Sequence, residues 1–453
     1  MTKIYEEDKK YRSIKADNDK LIRALGEHNM KKEEAGEDKM NEDVLNKLKD
    51  KLAKTNDKPE CSIQIGVVGV GQAGSRIAQV MHNLGYDSVA INTSKQDLEY
   101  IKIPENKKLL LEGTLGGTGK DLDLGREIFL DNQKEINSHM EQLSDSDMYY
   151  LIVSGGGGTG SSSVDTMVSI LSDTKPTGVI YILPKETDDA QSKKNSIETL
   201  SRLAAMSTNN MVSNLIVVDN AKIEQIYSNL SQAEFWEKAN KAIIEPLHLF
   251  NTLTASSSRH TSLDPSDFAK IISSGDCSLY GTIEVYNWTE ETALAEAVIE
   301  SLNDSMLAEG FDVSQTRVCG VIICGSKDVM SRLPALNINY CYHMISEKTN
   351  GASVFQGVYD IDTSKESVKI ITWFAGLGLP RKRIDSLKEE AKNQEENVKL
   401  KADARQTQMK LEIAETATKN ISNEIHRKIQ KKKSNFSKLQ RSSRGSLIDK
   451  RRK

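Results

Sequence analysis

The sequence predicts a doubly wound α/β domain, in which a parallel sheet carries helices on both faces, followed by a smaller α/β domain. From residue 61 onward, short runs that are apolar at nearly every position alternate with amphipathic helical patterns. Strands that are apolar on both faces are typical of parallel sheets, because crossover helices cover both sides. Glycine-rich stretches follow several of these strands, and open α/β sheets bind ligands at the carboxyl ends of their strands.

The first domain contains five predicted strands separated by helical patterns. These strands are residues 62–69, 88–92, 148–153, 178–183 and 215–219. A long helix over about 233–253 then leads to a second unit. Its predicted strands are 279–288, 318–324, 354–360 and 368–374, and its predicted helices lie near 290–309 and 334–347.

Composition and pattern together divide the chain into five segments. They are a charged helical N-terminal extension (1–60), a nucleotide-binding domain (61–232), a central helix (233–258), a C-terminal domain (259–380) and a basic tail, helical and then disordered (381–453). The formal net charge of −4 is distributed unevenly along the chain. It is zero in the extension, −16 over 61–380 and +12 in the tail. Cationic unstructured chains attract phosphates and acidic partners, so the tail is an expected interaction module, with a merely solvating tail as the alternative.

Cysteine usage and hydropathy narrow the class of protein further. The five cysteines form no CxxC pair and have no zinc-type histidine spacing, so we expect neither a disulfide framework nor a set of metal ligands. The N-terminus lacks the apolar segment of a signal peptide, and no apolar run reaches 18 residues. These features predict a cytoplasmic protein without a membrane segment.

The first glycine loop, residues 69–74, follows a strand and precedes a helix predicted over 75–84. Its spacing matches G-x-G-x-x-G, in which backbone N–H groups and a helix N-terminus hold phosphate. The dinucleotide version needs an acidic residue about 20 positions on, at the ribose. Here the next strand ends in Asn92-Thr93-Ser94, with no acidic residue, which weakens the case for a nicotinamide cofactor. A nicotinamide site and a purely structural turn remain as alternatives.

A second loop, residues 154–162, carries four successive glycines between a strand and a helix predicted over 164–171. Each glycine costs backbone entropy on folding, so this run indicates that something lies close against the backbone. The hydroxyls of Thr159, Ser161 and Ser162 at a helix N-terminus suit a di- or triphosphate better than a flexible linker.

A third loop, residues 113–120, is not a P-loop, because Lys120 is followed by Asp121 rather than Ser or Thr. Three glycine loops after strands of one sheet are expected to meet at its carboxyl edge. A nucleotide with several phosphates is therefore favoured over a dinucleotide.

Together these motifs resemble the tubulin/FtsZ superfamily, most of all the TubZ-type tubulins of plasmids and bacteriophages. The segment 156–161 is similar to the tubulin signature, 71–74 to the first loop and 219–222 to the loop that reads the guanine edge. The residues that this resemblance assigns to nucleotide binding are Gly71, Gln72, Ala73, Gly74, Asn92, Gly116, Gly117, Thr118, Gly156, Gly157, Gly158, Thr159, Gly160, Ser161, Asn220, Trp236 and Asn240. Trp236 would stack on the base and Asn240, one helical turn later, would hydrogen-bond it.

The segment 262–269 resembles the family's seventh loop, which carries acidic residues one turn apart. In the family these residues enter the nucleotide site of the next subunit, so Asp264 and Asp267 would orient and polarise the attacking water. A plainer interpretation makes Asp264 the N-cap of a helix that starts with Pro265. The two interpretations are compatible, because an N-cap residue can also face a neighbouring subunit.

The resemblance implies a tubulin/FtsZ-like fold and a GTPase that uses GTP with Mg²⁺ and polymerises head to tail. Its filaments would move or position DNA, as in plasmid segregation, with the basic tail bound to a DNA-bound adaptor so that DNA is held indirectly. A phage tubulin that positions phage DNA is the nearest alternative. A NAD-dependent oxidoreductase with a Rossmann domain and a non-hydrolysing regulator on the same fold are alternatives of other classes.

Overall fold

The computed structural model describes residues 60–113, 116–303, 305–412 and 425–433. The helices expected within 1–60 lie outside the described residues, apart from Glu60. No helix in these described ranges is long and apolar enough to cross a membrane.

Ten strands form one continuous sheet in the order β3-β2-β1-β4-β5-β6-β7-β10-β8-β9. Strands β1 to β7 run parallel to one another, β10 runs antiparallel to β7 and β8, and β9 runs parallel to β8. The strands are β1 Ile65–Val70, β2 Asp87–Asn92, β3 Lys108–Leu110, β4 Met148–Ser154, β5 Thr177–Leu183, β6 Asn214–Asp219, β7 Cys277–Val285, β8 Val318–Gly325, β9 Ser353–Asp360 and β10 Val368–Leu377.

Helices cover the sheet and connect its strands. They are α1 Gly71–Asn83, α2 Lys95–Glu99, α3 Leu122–Asp131, α4 Gln133–Met140, α5 Gly158–Ser172, α6 Ala190–Thr208, α7 Asn220–Ile226, α8 Gln232–Leu253, α9 Pro265–Ile272, α10 Ala293–Asn303, α11 Lys327–Arg332, α12 Ala335–Lys348 and α13 Arg381–Glu412, with 3₁₀ turns at Glu105–Lys107, Glu141–Leu143 and Val313–Gln315.

The predicted strands are present, and their burial explains why they were visible. The first five are buried at nearly every position, as β1 is over its whole length. The two units share one sheet, joined where β6 and β7 pair over Leu215–Cys277 and Ile216–Ser278. The three-residue strand β3 was not predicted, because it is short and only half-buried.

Two helices begin earlier than the apolar pattern predicted. Helix α1 starts at Gly71 rather than at residue 75, and α5 starts at Gly158 rather than at residue 164. In both cases the glycine loop itself forms the first helical turn. The side chains there are too small to show the periodicity of a buried helix face.

The central helix α8 has 22 residues and is therefore about 33 Å long. Its C-terminal end lies at the start of β1, where the Asn251 side chain accepts a hydrogen bond from Ile63 N and donates one to Ile63 O, both at 2.9 Å. Near the same end, Phe250 stacks on Phe268 with 5.7 Å between ring centroids. The helix α9 that carries Phe268 is thus packed against the C-terminal part of α8.

The predicted tail begins as a helix that packs on the first domain. In α13, Leu387 and Ala391 are buried, and Glu390 pairs with the buried Lys193 of α6 at 3.0 Å. The N-terminal turns of the 381–453 segment are therefore part of the folded body. The described residues of its distal part, 425–433, are helical and exposed.

Candidate nucleotide-binding site

The glycine loops meet at the carboxyl edge of the parallel strands, as the sequence predicted. A Cβ atom placed on Gly71 would lie 3.3 Å from the backbone nitrogen of Gly160, so the loops after β1 and β4 are in contact. A Cβ atom on Gly158 would lie 1.9 Å from Thr118 Oγ1 of the third loop. The backbone path at this edge therefore requires glycine where the loops cross.

Two helix N-termini point at this edge. Helices α1 and α5 begin at Gly71 and Gly158, and neither has an acidic residue in its first turn. Free N–H groups and the positive end of the helix dipole favour an anion, and the absence of carboxylates leaves that attraction uncompensated. Ala73 and Gly74 lie in the first turn of α1, while Gly156 and Gly157 form the approach to α5.

Hydroxyl groups at the edge divide into two kinds. Ser161 Oγ donates to the carbonyl groups of Gly155 and Gly157, at 2.7 and 2.6 Å, so its observed role is to fix the loop that holds the glycines. Thr159 Oγ1 lies 2.7 Å from Thr93 Oγ1 and joins the loops after β4 and β2. Thr118 Oγ1 is buried and, among the described residues, has no hydrogen-bond partner. A buried hydroxyl without a partner beside two helix N-termini fits a phosphate ligand.

Asp97, which the sequence analysis did not single out, organises the neighbouring loop. It accepts hydrogen bonds from the side-chain amides of Gln72 at 3.0 Å and Asn92 at 3.5 Å. The side-chain oxygen Oδ1 of Asn92 in turn accepts from the backbone N–H groups of Thr93 and Ser94. The spacing Ser94-x-x-Asp97 is a helix-start pattern that would have drawn attention to this carboxylate.

The other side of the site carries the residues assigned to the base. Asp219 caps α7 by accepting from Ala221 N at 3.1 Å, which places Asn220 at the first position of that helix. Burial raises the pKa of Asp219, and the guanidinium of Arg383, 2.7 Å away, opposes that rise. Asn220 is half-buried and directly follows β6, at the same carboxyl edge of the sheet as the glycine loops.

Trp236 and Asn240 lie one turn apart in the N-terminal part of α8, with Trp236 half-buried and Asn240 buried. Two cations face the indole: Lys185 Nζ is 4.9 Å and the Arg76 guanidinium carbon 5.7 Å from the ring centroid. Lys185 also pairs with Glu224 of α7. These contacts connect Trp236 to the ends of β1, β5 and β6, and the sequence analysis assigned no role to Lys185 or Arg76.

Asp264 and Asp267 belong to the segment that packs on the C-terminal part of α8, whereas Trp236 lies in the N-terminal part of that helix. They lie at the start of α9, and Phe268 of that helix stacks on Phe250 of α8. Phe250 is 14 positions after Trp236 along α8. Fourteen helical residues correspond to about 21 Å. Asp264 is exposed and Asp267 half-buried, and Asp267 pairs with Lys270 of its own helix at 2.8 Å.

The N-cap interpretation of Asp264 is correct in position but not in hydrogen bonding. Asp264 precedes Pro265 at the first helical position, yet its side chain makes no capping hydrogen bond. Its carboxylate therefore remains available to a partner outside α9. This arrangement suits a residue that works at a surface rather than one that stabilises its own helix.

Hydrogen bonds hold the loop before Asp264 against the end of β9. The buried Tyr359 hydroxyl accepts from Leu263 N at 2.8 Å and donates to Leu263 O at 3.2 Å. Val358 N donates to Thr261 O at 2.8 Å. Burial raises the pKa of Tyr359, and the nearby Asp264 carboxylate adds to the rise, so the hydroxyl stays protonated and serves as both donor and acceptor.

Comparison with known proteins agrees with this geometry. Residues 64–228 match the model of the Tubulin/FtsZ family, GTPase domain. Over 323 residues the chain is 27% identical to the tubulin-like protein CetZ of Pyrococcus abyssi, covering 69% of this chain and 85% of that protein. Over 368 residues it is 23% identical to the tubulin-like protein TubZ of Bacillus cereus, covering 74% and 84%.

Solved structures show the same fold. A GTPγS-form protofilament of TubZ from Bacillus thuringiensis serovar israelensis superposes with a TM-score of 0.70 at 19% identity, covering 78% of this chain and 98% of that one. CetZ2 of Haloferax volcanii, in a GTPγS-bound protofilament, superposes with a TM-score of 0.61 at 19% identity, covering 74% and 100%.

The fold and the glycine-lined edge define a nucleotide-binding protein of the tubulin type. Residues 64–228 of the chain form a GTPase domain of the Tubulin/FtsZ family. The protein is a tubulin/FtsZ-like cytoskeletal GTPase, so the predicted GTPase activity is confirmed over the nicotinamide-dependent alternative.

Proposed function

We propose that this protein polymerises head to tail and hydrolyses GTP at the contact between consecutive subunits. The observation that carries the proposal is the separation within one chain. Asp264 and Asp267 belong to the start of α9, whose Phe268 stacks on Phe250, and Phe250 is 14 residues, or about 21 Å, along α8 from Trp236. A carboxylate acts on a water only within hydrogen-bond reach, so these residues need the nucleotide of another subunit.

GTP would bind with its phosphates on the backbone N–H groups of the loops at 71–74 and 156–161, with Gly116, Gly117 and Thr118 at the terminal phosphate. Asn220 and Asn240 would read the base, and Trp236 would pack against it. Gln72 and Asn92, held by Asp97, complete the phosphate side.

Mg²⁺ would neutralise charge on the phosphates when bound. No group of three or more potential metal ligands occurs among the residues that the structure describes. This fits an ion held largely by substrate phosphates and water, with one or two carboxylates, which is how Mg²⁺ usually binds nucleotides in proteins. Asp97 is the carboxylate nearest to this role, because it already contacts Gln72 and Asn92.

Support for self-association also comes from relatives. Solved structures of similar fold include a helical model of a two-stranded TubZ filament, with a TM-score of 0.72. Because hydrolysis then depends on a contact that assembly creates, filaments of this protein would weaken as they consume GTP. The same coupling would account for the exposure of Asp264 and for its lack of a capping hydrogen bond.

Mixing two inactive variants tests whether the site is shared. Asp264→Ala keeps the glycine loops, and Gly158→Ala keeps the carboxylates but places a methyl group against Thr118. Each variant alone should hydrolyse GTP at less than a tenth of the wild-type rate, since removing a general base typically costs about 10²–10⁴-fold. In the mixture, a contact between an intact nucleotide site and an intact Asp264 should restore phosphate release.

The control for this mixture is Asp131→Asn, an exposed carboxylate of α3, which should leave hydrolysis unchanged. Failure of the mixture to regain activity, with both variants shown to co-sediment, would mean that the site is completed within one chain. Loss of GTP binding in Asp264→Ala would contradict the catalytic role of that carboxylate.

We further propose that the filament moves or positions DNA, as in plasmid segregation, through a DNA-bound adaptor that binds the basic tail. Support comes from a plasmid-segregation TubZ among the structures of similar fold and from the charge of the tail. Residues 413–453 carry 13 basic and 3 acidic side chains. A phage tubulin that positions phage DNA would have the same biochemistry.

Deleting 413–453 tests the tail without disturbing the docked part of α13. Assembly measured by light scattering should persist. Binding of a naked DNA duplex by the full chain should be weak and should fall about a hundredfold or more between 50 and 200 mM salt, as expected for contacts made only to phosphates. Tight, salt-resistant binding to naked DNA would contradict an adaptor and indicate direct recognition.

A further inference from the structure

One face of α13 contacts the two loops that carry the base-side residues. Arg383, Glu390 and Gln394 are spaced by seven and four residues and therefore lie on the same side of the helix. Arg383 Nε donates to Asp219 Oδ2 at 2.7 Å, and Gln394 Nε2 donates to Asp188 O at 3.0 Å. The first contact reaches the end of β6, and the second reaches the loop after β5.

The contacts form a network rather than isolated pairs. Arg383 Nη1 also donates to Glu390 Oε1 at 2.7 Å, and Glu390 pairs with Lys193 at 3.0 Å. Lys193 Nζ donates to the carbonyl group of Glu186 at 2.7 Å. Glu186 follows Lys185, whose ammonium faces Trp236, so both base-side loops are tied to the same helix.

The central pair of this network is buried. The side chain of Arg383 is 9% exposed and that of Asp219 is 5% exposed. Asp219 uses its other carboxylate oxygen to cap α7 at Ala221 N. Asn220 lies between the capping residue and the capped one, so the orientation of its side chain depends on where Asp219 is held. The guanidinium of Arg383 binds the carboxylates of both Asp219 and Glu390 in a largely buried site. It therefore holds the position of Asp219 more firmly than an exposed ion pair would.

We propose that Arg383 is a positioning residue for guanine recognition, which acts by holding Asp219 and thereby the first turn of α7 with Asn220. The inference rests on the proposed function, which assigns the base to Asn220. It makes docking of α13 a condition for selective binding of guanine nucleotide. A partner that binds the tail and displaces the first turns of α13 would lower the affinity for GDP at the same time.

The test compares GDP and ADP binding to the full-length protein, measured with fluorescent N-methylanthraniloyl nucleotides below the concentration at which it assembles. Arg383→Gln should lower the ratio of GDP to ADP affinity about tenfold, the size expected when a charge-assisted hydrogen bond is removed. The matched control is Lys382→Gln, the neighbouring cation, which is 75% exposed and pairs with Glu309 at 2.8 Å. It should keep the wild-type ratio.

A mutant cycle with Asn220→Ala separates positioning from general stability. If Arg383 acts through Asn220, Arg383→Gln should cause little further loss of selectivity in the Asn220→Ala background. A buried charge left without its partner can prevent folding. The double variant Asp219→Asn/Arg383→Gln therefore removes both charges while leaving an oxygen to cap Ala221, and it should fold and show the same tenfold loss.

The outcomes distinguish this inference from the proposed function. If the wild-type protein does not prefer GDP to ADP, or Asn220→Ala leaves that preference intact, the assignment of the base to Asn220 fails and the inference with it. If Asn220→Ala abolishes the preference for GDP but the folded Arg383 variants retain it, Arg383 only holds α13 against the first domain. That result would overturn the inference and leave the proposed function standing.

Discussion

Replacing Tyr359 by Phe tests whether the loop that presents Asp264 must be held rigidly for GTP hydrolysis. The substitution keeps the ring, which is 1% exposed, and removes the hydroxyl that hydrogen-bonds both Leu263 N and Leu263 O. Leu263 directly precedes Asp264. The prediction depends on the proposed role of Asp264 at the nucleotide of the next subunit.

The size of the effect follows from the two lost hydrogen bonds. Leu263 is also 1% exposed, so its N–H group would remain buried without a partner, at a cost of about 1–3 kcal/mol in the free energy of unfolding. If the freed loop lets Asp264 move by roughly 1 Å, the hydrolysis rate falls by about tenfold and by as much as about 10²-fold. The phosphate cradle is untouched, so GTP affinity should not change.

Phosphate release at saturating GTP measures the rate, while light scattering gives the critical concentration and thermal unfolding gives the stability. Tyr286→Phe is the matched control, because Tyr286 is 70% exposed and its hydroxyl contacts only the Glu284 side chain among the described residues, at 3.1 Å. The reasoning is refuted if Tyr359→Phe lowers the unfolding temperature but hydrolyses GTP at the wild-type rate in filaments.

Two further predictions concern the nucleotide site and its surroundings. Gly158→Ala should abolish GTP binding in equilibrium titrations, because its Cβ would lie 1.9 Å from Thr118 Oγ1; binding at the wild-type affinity would show that the cradle adapts. Lys120 Nζ lies 2.6 Å from Asp189 and, with Ser192 N–H, holds the pKa of Asp189 at about 2. Because that pKa is below the ordinary value of about 3.9, the pair stabilises the fold at higher pH and loses this contribution as the pH falls toward 2. Lys120→Met should therefore reduce the pH dependence of the unfolding free energy, measured by urea titration between about pH 5 and 3, and an unchanged dependence would contradict the assignment.

Much of the fold could be predicted from the sequence because its signals are local. The strands of the parallel sheet are buried on both faces, so each appears as an apolar run bounded by a turn. The glycine loops follow those runs directly, and parallel strands bring their carboxyl ends to one edge whatever the rest of the chain does. The convergence of Gly71, Thr118, Gly158 and Gly160 is therefore a consequence of pattern alone.

The starts of α1 and α5 show where local signals fail. Their first turns consist largely of glycine and small polar residues, so the apolar period begins one turn late. The same property that hides these turns from a pattern makes them suitable for a ligand, because small residues leave N–H groups accessible. Asp97 was missed for a related reason, since its contacts with Gln72 and Asn92 join residues of different elements.

The sequence by itself determined that the chain has a doubly wound sheet, glycine loops at one edge and two acidic residues one turn apart after a long helix. Only the tertiary structure decided that the helix carrying those acidic residues packs at Phe250, about 21 Å along α8 from Trp236, and that α13 holds Asp219, the residue before Asn220. Arg383 and Asp219 are 164 positions apart, and Tyr359 and Leu263 are 96 apart. Contacts over such separations depend on how whole elements pack, whereas a pattern in one chain reports only the face that each element buries.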